Sequence, residues 1–474
     1  MRKGSLKVVS FQALLSRTLQ ILLRIHTLYV LGNVLVPEQF GVFSLLTTIA
    51  FTISLFLVSG QYQAVSILLV KGYSVRDILR ISIFLLFSIC FLIGIILDPF
   101  WYVFLDLIHL NDVSFSFNDV FILLCCFSFN GLVYKFHEGL GEIEVYSKIS
   151  AFSLNLPWLF ILCDYFFLQS SYQSLVNCYI WGNVASICVI VPVFVSVLVR
   201  NIQKYSDRPI SLRAFIKESL VLYSSNFGFW LYTKSDIFVI QYFLGVGALG
   251  AFSLVAKIAE SVQVLATSLG SVYSPKISSN YHLKKPTDKT FAQVNDLILL
   301  MYLPMSIVLY LGSEYLINAF FSEAYMEAAI YLKVYVLFIL FRGFSGTYSL
   351  LLDGLGYASY RSRLLLGFAT ANIVFNIFAV QKFGVFGVCL VTVCTYVPLV
   401  SLYVWKSHQV LNASMFQTVK RNIWYIIVLI LFLILTSVLR HDSMAIEWLI
   451  LLISFCGILF IIQARKLLIR STNV

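Results

Sequence analysis

The chain has 474 residues, of which 60% are hydrophobic and 12% charged, with a net charge of +11 and a mean hydropathy of +0.91. A soluble domain carries about one quarter charged residues, so a soluble globular protein is excluded and a polytopic membrane protein is expected. The basic residues fall in short loops between apolar runs, so no nucleic-acid partner is expected either.

Runs of about 20 apolar residues, long enough to cross a bilayer, recur about fourteen times. The expected spans are 9–31, 42–60, 78–97, 119–138, 149–168, 177–199, 217–243, 249–274, 291–312, 329–352, 362–381, 384–405, 422–439 and 446–464. The basic N-terminus (Arg2, Lys3, Lys7) leads into a run that holds Arg17 and Arg24 and lacks a small-residue cleavage site. It reads as the first spanning helix and not as a removable signal. Loop charge then alternates. Lys71, Arg76 and Arg80, the stretch Arg200–Lys217, Lys276–Lys289, Arg361 with Arg363, and Arg465–Arg470 all fall on the side of the N-terminus. The other side carries Lys382 and Arg440 against Glu38, Asp98, Asp106, Asp112, Glu314, Glu323 and Glu327. By the positive-inside rule both termini are cytoplasmic.

Within 223–275, two apolar runs meet at a short glycine turn, Gly245–Gly250. The motif Gly250-Ala-Phe252-Ser253-Leu254 after that turn matches Gly41-Val-Phe43-Ser44-Leu45, and at the same offset Arg24 lands one residue from Lys234. An internal repeat follows. Six helices separate the copies, so both point the same way through the membrane, as parallel repeats. The expected architecture is all-α: two parallel six-helix bundles plus two C-terminal helices. Its divisions are an N-terminal lobe at 1–199, a basic cytoplasmic linker at 200–216, a C-terminal lobe at 217–405, and two further helices with a cytoplasmic tail at 406–474.

Ionisable side chains inside apolar runs are costly and normally face a partner or a wet cavity. Tyr223, Trp230, Lys234 and Gln241 share one helix face, a polar stripe running most of the way through the membrane. Arg24, on a face with Ser10, Arg17, Gln20 and Thr27, is too central to snorkel, whereas Arg17 fits either snorkelling or a cavity. Lys257 and Glu260 are spaced to pair with each other or to serve a cavity. Arg342 lies beside Gly343 and Gly346, where close packing could hide it. The candidate substrate-binding cations are therefore Arg24, Lys234, Arg17, Lys257 and Arg342, and Asp236 and Glu260 are the candidates for ion coupling. Asn372 and Asn376, spaced i, i+4, read as glue between helices.

Nine cysteines, nearly all within apolar runs and none in a C-x-x-C pair, read as small buried hydrophobes. No phosphate loop, H-E-x-x-H or G-x-S-x-G occurs, and no paired carboxylates fall in a plausible cleft. No catalytic residue, metal or cofactor is expected, and the chain reads as a transporter and not an enzyme.

Val36-Pro37-Glu38-Gln39-Phe40-Gly41-Val42-Phe43 resembles the turn after the first helix of Wzx-type polysaccharide flippases. Asp236-Ile-Phe-Val-Ile, Phe243-Leu-Gly, Leu249 to Lys257, and Ser274-Pro275-Lys276 resemble that family's seventh and eighth helices. Val36 stands where the family usually has glycine. The resemblance implies a secondary transporter of the multidrug/oligosaccharidyl-lipid/polysaccharide exporter superfamily in a bacterial inner membrane. Its cargo would be a polyprenyl-pyrophosphate-linked oligosaccharide, an O-antigen or similar repeat unit, moved by alternating access with H+ or Na+. Arg24 and Lys234 would meet the pyrophosphate. Implied partners are membrane lipids, a polysaccharide polymerase and a chain-length regulator. Two rivals stand beside this. A multidrug and toxin extrusion exporter moves mostly cationic drugs, which the intramembrane cations oppose. A membrane polymerase would carry a large outer loop, and none is present.

Overall fold

In the computed structural model, residues 22–107, 115–142, 145, 149, 152–167, 171–202 and 208–414 are described. The spans at 422–439 and 446–464, and Arg17, lie outside these. The described chain is helical with no strand: α1 (22–34), α2 (Pro37–Val70), α3 (Val75–Leu107), α4 (Phe117–Gly139), α5 (Leu156–Phe167), α6 (Tyr172–Ile202), α7 (Leu212–His282), α8 (Asp288–Leu311), α9 (Ser313–Phe320), a 3-10 turn at Glu323–Tyr325, α10 (Ala328–Gly354) and α11 (Ala358–Val410). Eight of these helices contain a stretch long and apolar enough to span a membrane. The protein is an all-α polytopic membrane protein.

Local chemistry sets the boundaries. Pro37, which lacks the N–H that a first turn cannot use, opens α2 with Glu38 behind it. A capping box opens α4: the Asp119 amide donates to Ser116 Oγ at 3.3 Å, and the Ser116 amide donates to Asp119 Oδ2 at 2.7 Å. At 1.5 Å per residue a straight α7 would run ~106 Å, more than three bilayer cores. It is broken at Gly245 (φ 80°, ψ −178°), and α11 is broken likewise at Gly384 (φ 58°, ψ −146°). Only glycine adopts this backbone region comfortably. The Tyr403 hydroxyl donates to the Arg361 carbonyl at 3.2 Å, so the two arms of α11 fold back on each other. The two breaks fall in or beside the gaps between the expected spans 217–243 and 249–274, and 362–381 and 384–405.

Packing divides the chain into two units. One runs to Lys257 and takes in Leu365–Val385; the other comprises Ile258–Leu364 and the described residues from Phe386. This is a different cut from the division by repeat. In the first unit α2 packs mainly on α4, and α5 on α6. Its apolar core gathers Leu68, Leu69, Leu132, Phe136, Phe194 and Phe215. Phe215, fully buried, plugs the start of α7 into that core, and a Lys71–Glu218 ion pair ties the same end to α2. In the second unit α8 packs on α10, where the Tyr348 hydroxyl donates to Asn295 Oδ1 at 2.5 Å.

Candidate functional site

The two repeated motifs meet. A side chain begun at Gly41 would stand 2.0 Å from the Val246 carbonyl oxygen, and one begun at Gly250 would stand 1.8 Å from the Pro37 carbonyl oxygen. Neither position has room for a Cβ, which explains both glycines. Phe43, Ser44 and Leu45 are buried, and so are Phe252, Ser253 and Leu254. The exposed Glu38 reaches to 2.9 Å from where a Gly247 side chain would begin. One carboxylate thus sits at the N-terminus of α2 and beside the first turn after the Gly245 break, where helix dipoles favour negative charge.

The first arm of α7 lies along α2. Trp230 Nε1 donates to Thr52 Oγ1 at 2.8 Å, and Phe56 packs against Tyr223, Phe227 and Trp230 at ring distances of 6.5, 5.3 and 4.6 Å. The expected polar stripe is corrected accordingly. Tyr223 and Trp230 pack on α2, Gln241 is buried, and Lys234 is half-buried between them along the chain. Helical periodicity identifies a shared face, but not what covers it.

Asp236 is 3% exposed. Its Oδ1 accepts a 2.8 Å hydrogen bond from Asn376 Nδ2, which also donates to Asn372 Oδ1 at 3.1 Å. Asn372 and Asn376 are both fully buried. The asparagines do join helices, as their spacing suggested, and the group they join to is the carboxylate.

Arg342 is buried. Its guanidinium donates to the Tyr396 hydroxyl at 3.2 Å and lies 5.3 and 5.7 Å from the Phe338 and Tyr396 ring centres. Two aromatic faces and a hydroxyl replace part of its hydration. Arg24 on α1 and Lys257 on the second arm of α7 are half-buried, and Glu260 is exposed.

Among the residues that sequence reasoning passed over is Asp164. It is 1% exposed on α5 and accepts a 2.6 Å hydrogen bond from Ser174 Oγ on α6. The signal was present, since a carboxylate inside an apolar run is a functional candidate by default. Lys333, by contrast, pairs with Glu314, and Lys135 with Glu138 at 2.5 Å; both pairs sit at helix ends.

A family model described as "Polysaccharide biosynthesis protein" matches residues 165–330. Two uncharacterized membrane proteins of Methanocaldococcus jannaschii are similar. One is 25% identical over 48% of this chain and 44% of its own length, so the chain spans under half of that relative. The other is 22% identical over 79% of this chain and 90% of its own length. Among solved structures, the lipid II flippase MurJ in an inward closed conformation superposes with a TM-score of 0.68 at 15% identity, over 98% of this chain and 100% of that one. An inward-facing multidrug resistance MATE family transporter of the MOP superfamily gives 0.62 at 13% identity, over 85% and 98%. A MOP superfamily transporter from Pyrococcus furiosus, described as having a binding pocket of reverse polarity, gives 0.54 at 14%, over 85% and 95%. The chain thus shares the fold of these flippase and exporter structures, and its residues 165–330, which include Leu249–Lys257, match a polysaccharide biosynthesis model, in line with the resemblance read from the sequence.

Proposed function

We propose that the chain is a flippase that moves a polyprenyl-pyrophosphate-linked oligosaccharide, an O-antigen or similar repeat unit, across a bacterial inner membrane. The observation that carries this is the reciprocal meeting of the two glycine motifs. On each helix leading into that meeting stands one intramembrane cation, Arg24 or Lys234, one position apart in the repeat. Two cations approaching one axis from parallel halves suit a pyrophosphate, whose oxygens accept hydrogen bonds from guanidinium and ammonium groups. The match at residues 165–330 to a polysaccharide biosynthesis model supports the cargo class. The same fold includes a transporter described as having a pocket of reverse polarity, so it accommodates pockets of different charge.

In this mechanism the polar head group and sugars pass between the halves while the lipid tail stays in the bilayer. Arg24 and Lys234 grip the pyrophosphate, and Arg17 and Lys257 extend the positive field. Arg342, held by Tyr396 and Phe338, is a fixed charge within the second unit. Ion coupling is assigned to Asp236 in preference to Glu260, because Asp236 is buried and held by Asn376 whereas Glu260 is exposed. A cation arriving at Asp236 would neutralise a desolvated carboxylate and alter its grip on Asn376, which ties the arm of α7 to α11. Deleting the gene and identifying the lipid-linked oligosaccharide that accumulates on the cytoplasmic face tests the reading. Accumulation of no such lipid, with surface polysaccharide intact, would reject it.

A further inference from the structure

Three aromatic rings stand on one face of the first arm of α7, at Tyr223, Phe227 and Trp230, an i, i+4, i+7 spacing. Successive rings lie 6.3 and 6.2 Å apart and within 18° and 24° of parallel, so they follow the pitch of the helix like rungs. Phe56 of α2 meets Phe227 and Trp230 edge-on, at 76° and 73°. Together with the Trp230–Thr52 hydrogen bond, this fixes the plane of the indole. Lys234 continues the same face one turn beyond Trp230, so the stripe runs ~16 Å from Tyr223 to the lysine.

Packing alone does not account for this ladder. Large rings that pack in the core are covered: Tyr232 is 1% exposed, Phe215 0% and Phe252 2%. Tyr223, Phe227 and Trp230 each keep part of their surface open. α2 and α7 are held together without them, since a side chain begun at Gly60 would stand 2.3 Å from the Ser219 carbonyl oxygen. Lipid does not account for the ladder either. A face that carries a lysine amine, an indole N–H and the buried Gln241 is costly to turn toward acyl chains.

A row of parallel rings leading to a cation suits a sugar chain joined to a phosphate. A sugar ring presents C–H groups on its face, and these are drawn to the negative face of an aromatic ring. Resting on the flippase reading above, we infer that Tyr223, Phe227 and Trp230 form a stacking platform for the sugars nearest the pyrophosphate when the pyrophosphate is at Lys234. The first arm of α7 enters from the cytoplasmic side in the expected orientation, so the rings lie on the cytoplasmic side of Lys234. That is the side from which the sugars follow the pyrophosphate into the protein. Stacking reads ring faces and not the pattern of hydroxyls, so the platform tolerates different sugars. No covalent bond is made or broken there.

Binding to the purified full-length chain in lipid nanodiscs tests this with two probes. One is polyprenyl pyrophosphate without sugar, and the other is the same lipid carrying the oligosaccharide that accumulates in a deletion strain. Phe227→Leu and Trp230→Leu keep apolar bulk and lose the ring. Each should weaken the sugar-bearing probe about three- to tenfold and leave the bare pyrophosphate unchanged, which also reports that the variant is folded. Lys234→Ala should weaken both probes. Trp230→Phe keeps a ring and should retain most of the affinity. Undiminished binding of the sugar-bearing probe in both leucine variants would overturn the platform and leave the rings as packing. Equal loss for both probes would overturn it in favour of contact with the lipid or its pyrophosphate. A wild-type chain that binds neither probe would reject the flippase reading and the platform with it.

Discussion

Gly41 faces the Val246 carbonyl so closely that a side chain would begin 2.0 Å from its oxygen, and the offset that carries Gly41 to Gly250 also carries Pro37 to Val246. Gly250 faces the Pro37 carbonyl in return, at 1.8 Å. The contact therefore reads the same from either motif. It is made by backbone alone, at the point where the second and eighth expected spans begin.

The two glycines should respond alike to substitution. Gly41→Ala and Gly250→Ala must each push a carbonyl aside, and overpacking of this kind costs about 1–3 kcal/mol. Both variants should show a lowered thermal midpoint in detergent and reduced surface polysaccharide. Gly247→Ala meets the flexible end of Glu38 instead and should be tolerated better. Wild-type stability in Gly41→Ala would show that the two backbones leave room for a Cβ.

Arg24 and Lys234 should matter for transport more than for folding. Arg24→Ala and Lys234→Ala should reach the membrane at near-normal levels and fail to restore surface polysaccharide in a deletion strain. Arg24→Lys and Lys234→Arg should recover much of the activity, less fully at Arg24 if it grips phosphate with both arms of its guanidinium. Normal polysaccharide in both alanine variants would end the assignment of these two cations to the cargo.

Asp236 and Asn376 should separate coupling from stability. Asn376→Ala leaves a buried carboxylate without its amide donor, a loss of about 1.5–3 kcal/mol, visible as a lower thermal midpoint. Asp236→Asn keeps the shape and removes the charge, so the protein should fold while transport in vesicles loses its dependence on an ion gradient. Retained ion dependence in Asp236→Asn, with loss in Glu260→Gln, would move the coupling site to Glu260.

Arg342 calls for a different pair of variants. Arg342→Ala leaves a void against the Phe338 and Tyr396 rings and should cost about 2–4 kcal/mol. Arg342→Met fills that space without charge, and such replacements are often neutral or stabilising. A stable but inactive Arg342→Met would assign the charge to transport. A stable and active one would make Arg342 a packing residue.

Much of the helical framework was legible because its signals are local. Apolar runs end where glycine interrupts them, and the breaks at Gly245 and Gly384 match the gaps between expected spans. The two Gly-x-Phe-Ser-Leu motifs lie where their helices meet, and Phe43 and Phe252 are both buried. The site was less legible because its partners are remote in sequence. Asn376 lies 140 residues from Asp236, and Thr52 lies 178 from Trp230. Nothing in a helical wheel says that the Trp230 face meets α2 and not water. Asp164 is faint in the sequence for a simpler reason: a single carboxylate between Cys163 and Tyr165 has no charged neighbour along the chain.

A contact that reads the same from either side is the kind a protein makes with a copy of itself. A half-length ancestor carrying one Pro37-to-Gly41 turn would already have owned both surfaces of a symmetric dimer. Duplication and fusion through a basic connector would then cost no new interface. It would free each copy to keep what the other lost, which is how Asp236 can stand in one half while the buried Thr27 occupies the same place in the other.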